Sequence, residues 1–248
     1  MKIASFFSGA GGLDLGFTNA GFELVFANDN WNGCWETFEN NHDIKINKKS
    51  ITKISSEEIP DVIGFVGGPP CQSWSLAGAM RGINDSRGKL FYNYVNLIKE
   101  KKPLFFLAEN VAGILSKKHL PEFMKIVNSF KKIGYNVSYK LLDAKDYNVP
   151  QDRKRVFIVG YHEKLGKNFR FPQPSGFQVT LRDAISDLPK PLAASEKNRT
   201  NGNKNKIKNH EYMNGGFSTI YMSRNRVREW DEPSFTIQAG GRHAPCHP

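Results

Sequence analysis

The sequence predicts an α/β fold in which a parallel sheet is covered on both faces by helices and is followed by a smaller, irregular domain. Two observations predict it. Through the first half of the chain, short β-like runs alternate with stretches whose apolar residues recur at helical spacing. From about Asn168 the texture changes to Pro, Gly, Asn and Lys with weak periodicity, punctuated by Pro172, Pro174, Pro189 and Pro191. In order, the β-like runs are Ile3–Phe7, Glu23–Asn28, Val62–Val66 and Phe105–Glu109. Helical spacing falls between and after them at Gly11–Ala20, Trp31–Asn40, Leu90–Glu100 and Pro121–Ile133, the last stopped by Gly134. Tyr135–Leu142 and Val156–Gly160 read as a later strand pair. The expected domains are therefore residues 1–168 and 169–248.

Composition narrows the class. A chain of 248 residues, 39% hydrophobic and 24% charged, can bury a full core. It has no apolar run near the ~18 residues a membrane span needs. The N-terminus runs Met1-Lys2-Ile3-Ala4-Ser5-Phe6-Phe7 into a Gly-rich turn, which suits a buried first strand and not a secretory signal. Cys34, Cys71 and Cys246 are too widely spaced for a metal cluster, and their odd number argues against a disulfide framework. A reducing cytoplasm fits that usage. The formal net charge of +11 favours a polyanionic partner, because cations placed near phosphates release condensed counterions. The Asn/Lys-rich stretch from Lys197 to Lys208 reads as a solvated loop.

In open parallel sheets, ligands bind beyond the carboxyl ends of the strands. Three loops there are unusual. The first, Ser8-Gly9-Ala10-Gly11-Gly12-Leu13-Asp14-Leu15-Gly16, lets a ligand approach the backbone at a helix start, although its spacing is not a dinucleotide fingerprint. With Asp29 ending the second run as an acceptor for ribose hydroxyls, it suggests an adenosine-containing cofactor. The second loop, Gly67-Gly68-Pro69-Pro70-Cys71-Gln72-Ser73-Trp74-Ser75, uses two prolines to stiffen the chain just before a thiol. A cysteine is ordinarily a small buried hydrophobe. Rigid polar surroundings at a strand end point instead to a nucleophile. The third, Ala108-Glu109-Asn110-Val111, puts an acid at a strand end, where it can share a cavity with Cys71.

Four segments taken in order, Phe7-Ser8-Gly9-Ala10-Gly11-Gly12, Gly68-Pro69-Pro70-Cys71-Gln72, Glu109-Asn110-Val111 and Gln151-Asp152-Arg153-Lys154-Arg155, resemble the ordered motifs of the DNA cytosine-5 methyltransferases. With Arg87-Gly88-Lys89-Leu90-Phe91 and Ser223-Arg224-Asn225-Arg226-Val227-Arg228, the wording looks most like the HaeIII-type bacterial enzymes that modify GGCC sites. The resemblance implies a Rossmann-like S-adenosylmethionine (SAM)-dependent sheet with a smaller, irregular target-recognition domain across a DNA cleft. It implies that Phe7, Gly9 and Gly11 line the SAM site, that Asp29 holds the ribose, and that Leu90 packs near the cofactor. The chain departs from the pattern at two positions, because many members carry Glu where Asp29 stands and Asp where Ser50 stands. Ser50 would offer the adenine amine a weaker hydrogen bond.

Cytosine C5 is too electron-poor to attack a methyl sulfonium unaided. A nucleophile must first add at C6, and a thiolate suits the role because it attacks well and later departs. Cys71 is placed for it. A carboxyl group at N3, the task of Glu109, draws electrons from C6. The resemblance assigns Arg155 to the cytosine O2, with Arg153 supporting the same pocket or a phosphate.

The target base must leave the stack before this chemistry can occur. Residues Ser73 to Arg87 are expected to form a mobile loop, hinged by Gly78, Gly82 and Gly88, with Ser73, Arg81 and Arg87 toward DNA. Base choice belongs to the second domain. There Arg224, Arg226, Arg228 and Arg242 are candidates for guanine edges or phosphates, and Thr236 matches a recurrent recognition-domain threonine. Family members continue past this domain with a returning segment that this sequence lacks, so a second polypeptide is an expected partner, alongside duplex DNA. A cognate restriction enzyme is expected as a functional partner, in a bacterial cytoplasm close to the nucleoid. Two other readings stay open: a same-family RNA methyltransferase, and an incomplete DNA-binding subunit.

Overall fold

The computed structural model describes residues 1–70, 86–193, 206–207, 211–212 and 228–237. The chain divides into two compact units, Met1–Leu142 with Arg155–Pro172, and Asp143–Lys154 with Gln173–Pro248. Among the described residues, no helix is long and apolar enough to cross a membrane.

The first unit is built on a six-stranded sheet of β1 (Lys2–Phe6), β2 (Glu23–Asn28), β3 (Gly64–Gly67), β4 (Phe105–Val111), β5 (Tyr135–Asp143) and β6 (Lys154–His162). Its spatial order is β2-β1-β3-β4-β6-β5. Strands β1, β2, β3 and β4 pair in parallel, as the alternating pattern predicts, because helices connect them. Strand β6 departs from an all-parallel sheet: it inserts between β4 and β5 and runs antiparallel to β4, pairing Phe105 with Tyr161 and Val111 with Arg155. The sheet is therefore mixed. The carboxyl end of β4 consequently meets the start of β6.

Period-2 alternation sends successive strand residues to opposite faces, and each face has its own core. On one, Ala4, Phe6, Phe65, Phe106, Ala108, Val156 and Ile158 join side chains from α3 (Ser86–Lys101) and α4 (Leu120–Lys132). Helix α4 buries Phe123, Ile126, Val127 and Phe130, a single stripe at helical spacing, and the Phe130 and Phe106 rings stack with centroids 4.0 Å apart. On the other face, Ile3, Val66, Phe105 and Leu107 meet Leu13 and Phe17 of α1 (Gly12–Asn19) and Trp35 and Phe38 of α2 (Asn32–Asn41). Each fully buried phenylalanine contributes roughly 1.5 to 3 kcal/mol by leaving water.

The second unit contains the short helix α5 (Leu181–Ile185) and the two-residue strands β7 (Leu192–Ala193) and β8 (Glu211–Tyr212), which pair in parallel. Thr180 starts α5 with a capping box, its hydroxyl accepting from the Asp183 amide while the Asp183 carboxylate accepts from the Thr180 amide. Residues 228–237 run beside two other segments. The Leu181 and Arg182 amides donate to the carbonyls of Glu232 and Trp230, and the Asp152 amide donates to the Ser234 carbonyl.

Candidate active site

The Gly-rich turn after β1 is held open by a carboxylate. Asp29, at the end of β2, accepts from the Gly9 amide at 2.9 Å and from the Trp31 amide at 2.8 Å. The turn needs left-handed backbone at Phe7 (φ 54°), Gly9 (φ 56°) and Gly11 (φ 86°). A non-glycine residue there stores strain, which Phe7 tolerates because the Ser8 amide is anchored on the Asn28 carbonyl at 3.1 Å. At Gly11 a Cβ would collide with the His42 ring, 2.1 Å away, so only glycine fits. At Gly9 and Gly12 an added Cβ would meet nothing within 4 Å among the described residues. With no side chain at Gly9 and Gly12, a ligand can come close to the backbone at the start of α1, which suits an adenosine-bearing ligand.

The residues expected around an adenine are partly engaged already. The buried Asn28 side chain donates to the carbonyls of Asn47 and Lys49, both at 2.8 Å, which draws the chain before Ser50 alongside Asp29. The Ser50 hydroxyl caps the short 3₁₀ turn Ile51–Lys53 and shares a 2.9 Å hydrogen bond with the Thr52 hydroxyl. Leu90 is a partly buried residue packed against the larger core. Sequence reasoning gave no role to Asn28 or His42, whose partners lie about twenty to thirty residues away in the chain.

At the ends of β3 and β4 a second constellation forms. Gly67 admits no side chain, since a Cβ would stand 2.6 Å from the Phe6 carbonyl oxygen. Beside it, the Gly68 α-carbon faces Glu109, with Oε2 3.5 Å from where a Cβ would lie. The buried Asn110 amide donates to the Pro69 carbonyl at 3.1 Å, while its own oxygen accepts from the Val111 amide at 3.0 Å. The turn leading to Cys71 is therefore fastened to the residue next to Glu109. Across the antiparallel β4–β6 pairing, the Arg155 Nε lies 2.8 Å from Glu109 Oε1, with side chains 20% and 28% exposed. The Glu109 carboxylate is thus paired and part-exposed. Asn110 was quoted within its motif but given no task; a buried amide following an acid at a strand end is the signal for it.

Arg153 is half-buried, its amide donating to Asp143 at 3.0 Å. In the second unit Arg228 pairs with Asp152 and Glu232 and lies over the Phe235 ring, and the Thr236 hydroxyl donates to the Asp152 carbonyl. Arg87 lies in the first turn of α3, so helix already begins at Ser86, where a loop is expected from the sequence. Cys71, Ser73, Arg81, Arg224, Arg226 and Arg242 lie outside the described residues.

A nucleotide-type cradle at one strand end and a glutamate–arginine pair at another, on a sheet of this order, define a Rossmann-like methyltransferase. The chain belongs to the C-5 cytosine-specific DNA methylase family, whose model matches residues 1–247. It is a DNA cytosine-5 methyltransferase, and members of this family are SAM-dependent. It is 72% identical over its whole length to Type II methyltransferase M.MthTI of Methanothermobacter thermautotrophicus, of which it spans 75%. It is 53% identical to Type II methyltransferase M.FnuDI of Fusobacterium nucleatum, covering 73% of that protein. The fold is also that of a crystallised triple mutant of Spodoptera frugiperda DNMT2, with a TM-score of 0.72 at 18% identity, covering 98% of this chain and 71% of that one.

Proposed function

We propose that this chain is the modification enzyme of a Type II restriction–modification pair, methylating C5 of a flipped-out cytosine in duplex GGCC sites through a covalent Cys71–C6 adduct. The observation that carries the chemistry is the Glu109–Arg155 pair beside the Gly68-Pro69 turn that leads directly to Cys71. SAM, when bound, supplies an electrophilic methyl group. The Phe7–Gly12 turn would hold it, and Asp29, which already accepts from the Gly9 amide, would accept from its ribose hydroxyls.

The protein's own groups do the rest. The Cys71 thiolate forms the S–C6 bond, and the electron pair of the C5–C6 double bond becomes available at C5, which takes the methyl. Glu109 hydrogen-bonds N3 and Arg155 the O2, so that charge gathering on the ring meets a proton donor and a fixed cation. Loss of the C5 proton to a base then returns the electron pair to the ring and expels the thiolate. Arg153 supports the same pocket. The first unit carries Cys71, Glu109 and Arg155, and the second, with Arg224, Arg226, Arg242 and Thr236, carries target recognition, with Ser73, Arg81 and Arg87 meeting the DNA.

Duplex DNA bearing 5-fluorocytosine at the target tests it, because fluorine blocks the final elimination and traps the adduct. A SAM-dependent covalent complex that vanishes in Cys71→Ala is the expected result; a complex that survives the substitution would overturn the assignment. Sequencing of methylated product reads the site, and modification centred on anything but GGCC would refute that part alone.

A further inference from the structure

We propose that Asp152 and Arg228 form a positioning pair, a clamp within the second unit that fixes the chain running into Arg153 and Arg155, and that Arg228 is not a DNA contact. The inference rests on the reading of Arg153 and Arg155 as pocket residues.

Asp152 is the second residue of the Gln151-Asp152-Arg153-Lys154-Arg155 segment, and its neighbours within the second unit surround it. Its carboxylate takes the Arg228 guanidinium on Oδ2 and the Lys145 ammonium on Oδ1 at 2.8 Å. Its backbone is held too. The Asp152 amide donates to the Ser234 carbonyl at 2.9 Å, the Ser234 amide to the Pro150 carbonyl at 2.9 Å, and the Thr236 hydroxyl to the Asp152 carbonyl. Three backbone-linked bonds and one ion pair thus fasten residues 150–152 to 228–236, some 76 positions on, while Lys145 holds the other carboxylate oxygen of Asp152.

Arg228 is spent on this task. One guanidinium nitrogen meets Asp152, another meets Glu232 at 3.2 Å, and the plane covers the Phe235 ring 4.2 Å from its centroid. Its side chain is only 18% exposed. A cation matched by two carboxylates and laid on a ring has little field left for a phosphate, and moving it onto DNA would strand Asp152 half-buried beside one lysine. Asp143 extends the network, accepting from the Arg153 amide at 3.0 Å while its other oxygen is 3.9 Å from Lys145. The residue immediately after the clamp is therefore fixed through its backbone. Misplacing a catalytic group by about 1 Å costs on the order of a hundredfold in rate, so a clamp here acts on turnover and not on affinity.

The full-length enzyme tests this in four forms, wild type, Asp152→Ala, Arg228→Ala and the double variant, with Arg228→Lys as the conservative exchange. The measurements are the single-turnover methylation rate on duplex DNA and the salt dependence of DNA binding, below each variant's unfolding temperature. If the pair is a clamp, each single variant loses about ten- to a hundredfold in rate, the double loses no more than either, Arg228→Lys recovers part of the loss, and the salt slope is unchanged. Rate losses that multiply, or a salt slope reduced by about one for Arg228→Ala but not for Asp152→Ala, overturn the proposal. Unchanged rates in both single variants do so as well. Failure of the wild type to methylate DNA would count instead against the underlying functional reading.

Discussion

Arg155 Nε lies 2.8 Å from Glu109 Oε1, and the register that brings them together is the antiparallel pairing of β6 with β4. The acid lies two residues before the end of β4, and the arginine is the second residue of β6, which runs antiparallel to it. A parallel β6 would have carried Arg155 to the opposite edge of the sheet. The pair therefore reports a topological feature as much as a chemical one.

Glu109→Gln keeps the shape and loses the exchangeable proton. Its single-turnover rate is expected to fall by roughly 10² to 10⁴, with duplex DNA binding nearly unchanged. Rapid-quench methylation at saturating DNA measures it. A variant within a factor of about three of wild type would remove Glu109 from the proton-transfer role.

Asn110→Ala removes the donor to the Pro69 carbonyl in a buried position. Leaving that acceptor without its partner is expected to cost about 1 to 3 kcal/mol of stability and to loosen the turn before Cys71. Denaturant unfolding reads the first effect, and the yield of trapped 5-fluorocytosine adduct reads the second. Loss of stability with full adduct yield would confine Asn110 to a folding role.

Much of this was legible in the residues themselves. The unbroken apolar run Phe105-Phe106-Leu107-Ala108 announces a strand buried on both faces, and the stripe Phe123, Ile126, Val127 and Phe130 announces a helix, because both signals are local. The short motifs located the strand-end loops for the same reason. The antiparallel insertion of β6 was not legible, since strand direction within a sheet follows from connections and packing and not from the pattern of one segment. Nor was the meeting of Asp152 with Arg228, two charged residues that a sequence reader assigns to solvent or to DNA. Ser50 shows the same limit: a hydroxyl expected to serve a ligand is engaged in capping the turn that follows it.

Cys34 and Cys71 should separate by reactivity. Cys34 is buried in α2, with its thiol donating to the Trp31 carbonyl at 3.0 Å, and burial, aided by the negative charge of Asp29, pushes its ionisation up. Thiolate chemistry at neutral pH is accordingly suppressed there. Iodoacetamide at pH 7.5, followed by peptide mass spectrometry, is expected to label Cys71 well before Cys34. Equal rates at the two positions would contradict the environment described for Cys34.

Asp14 gives a pH signature of the cofactor loop. It is fully buried in α1, and neither carboxylate oxygen has a hydrogen-bond partner among the described residues. Burial pushes its ionisation above the usual value near 3.8, and the opposing influences of Ser5, its own backbone and His42 only partly offset this. A carboxyl group whose folded pKa is raised contributes its full stability below the unfolded value, and loses it as pH rises through the folded one. Asp14→Asn imitates the neutral form at every pH. The variant is therefore expected to match wild type near pH 4 and to unfold at a higher temperature at pH 8, by about 2 to 4 °C for each kcal/mol of desolvation relieved. Calorimetric melts at the two pH values measure this. A variant less stable than wild type at pH 8 would mean that the Asp14 charge holds the Gly-rich turn together, in which case SAM binding by the variant should weaken in parallel.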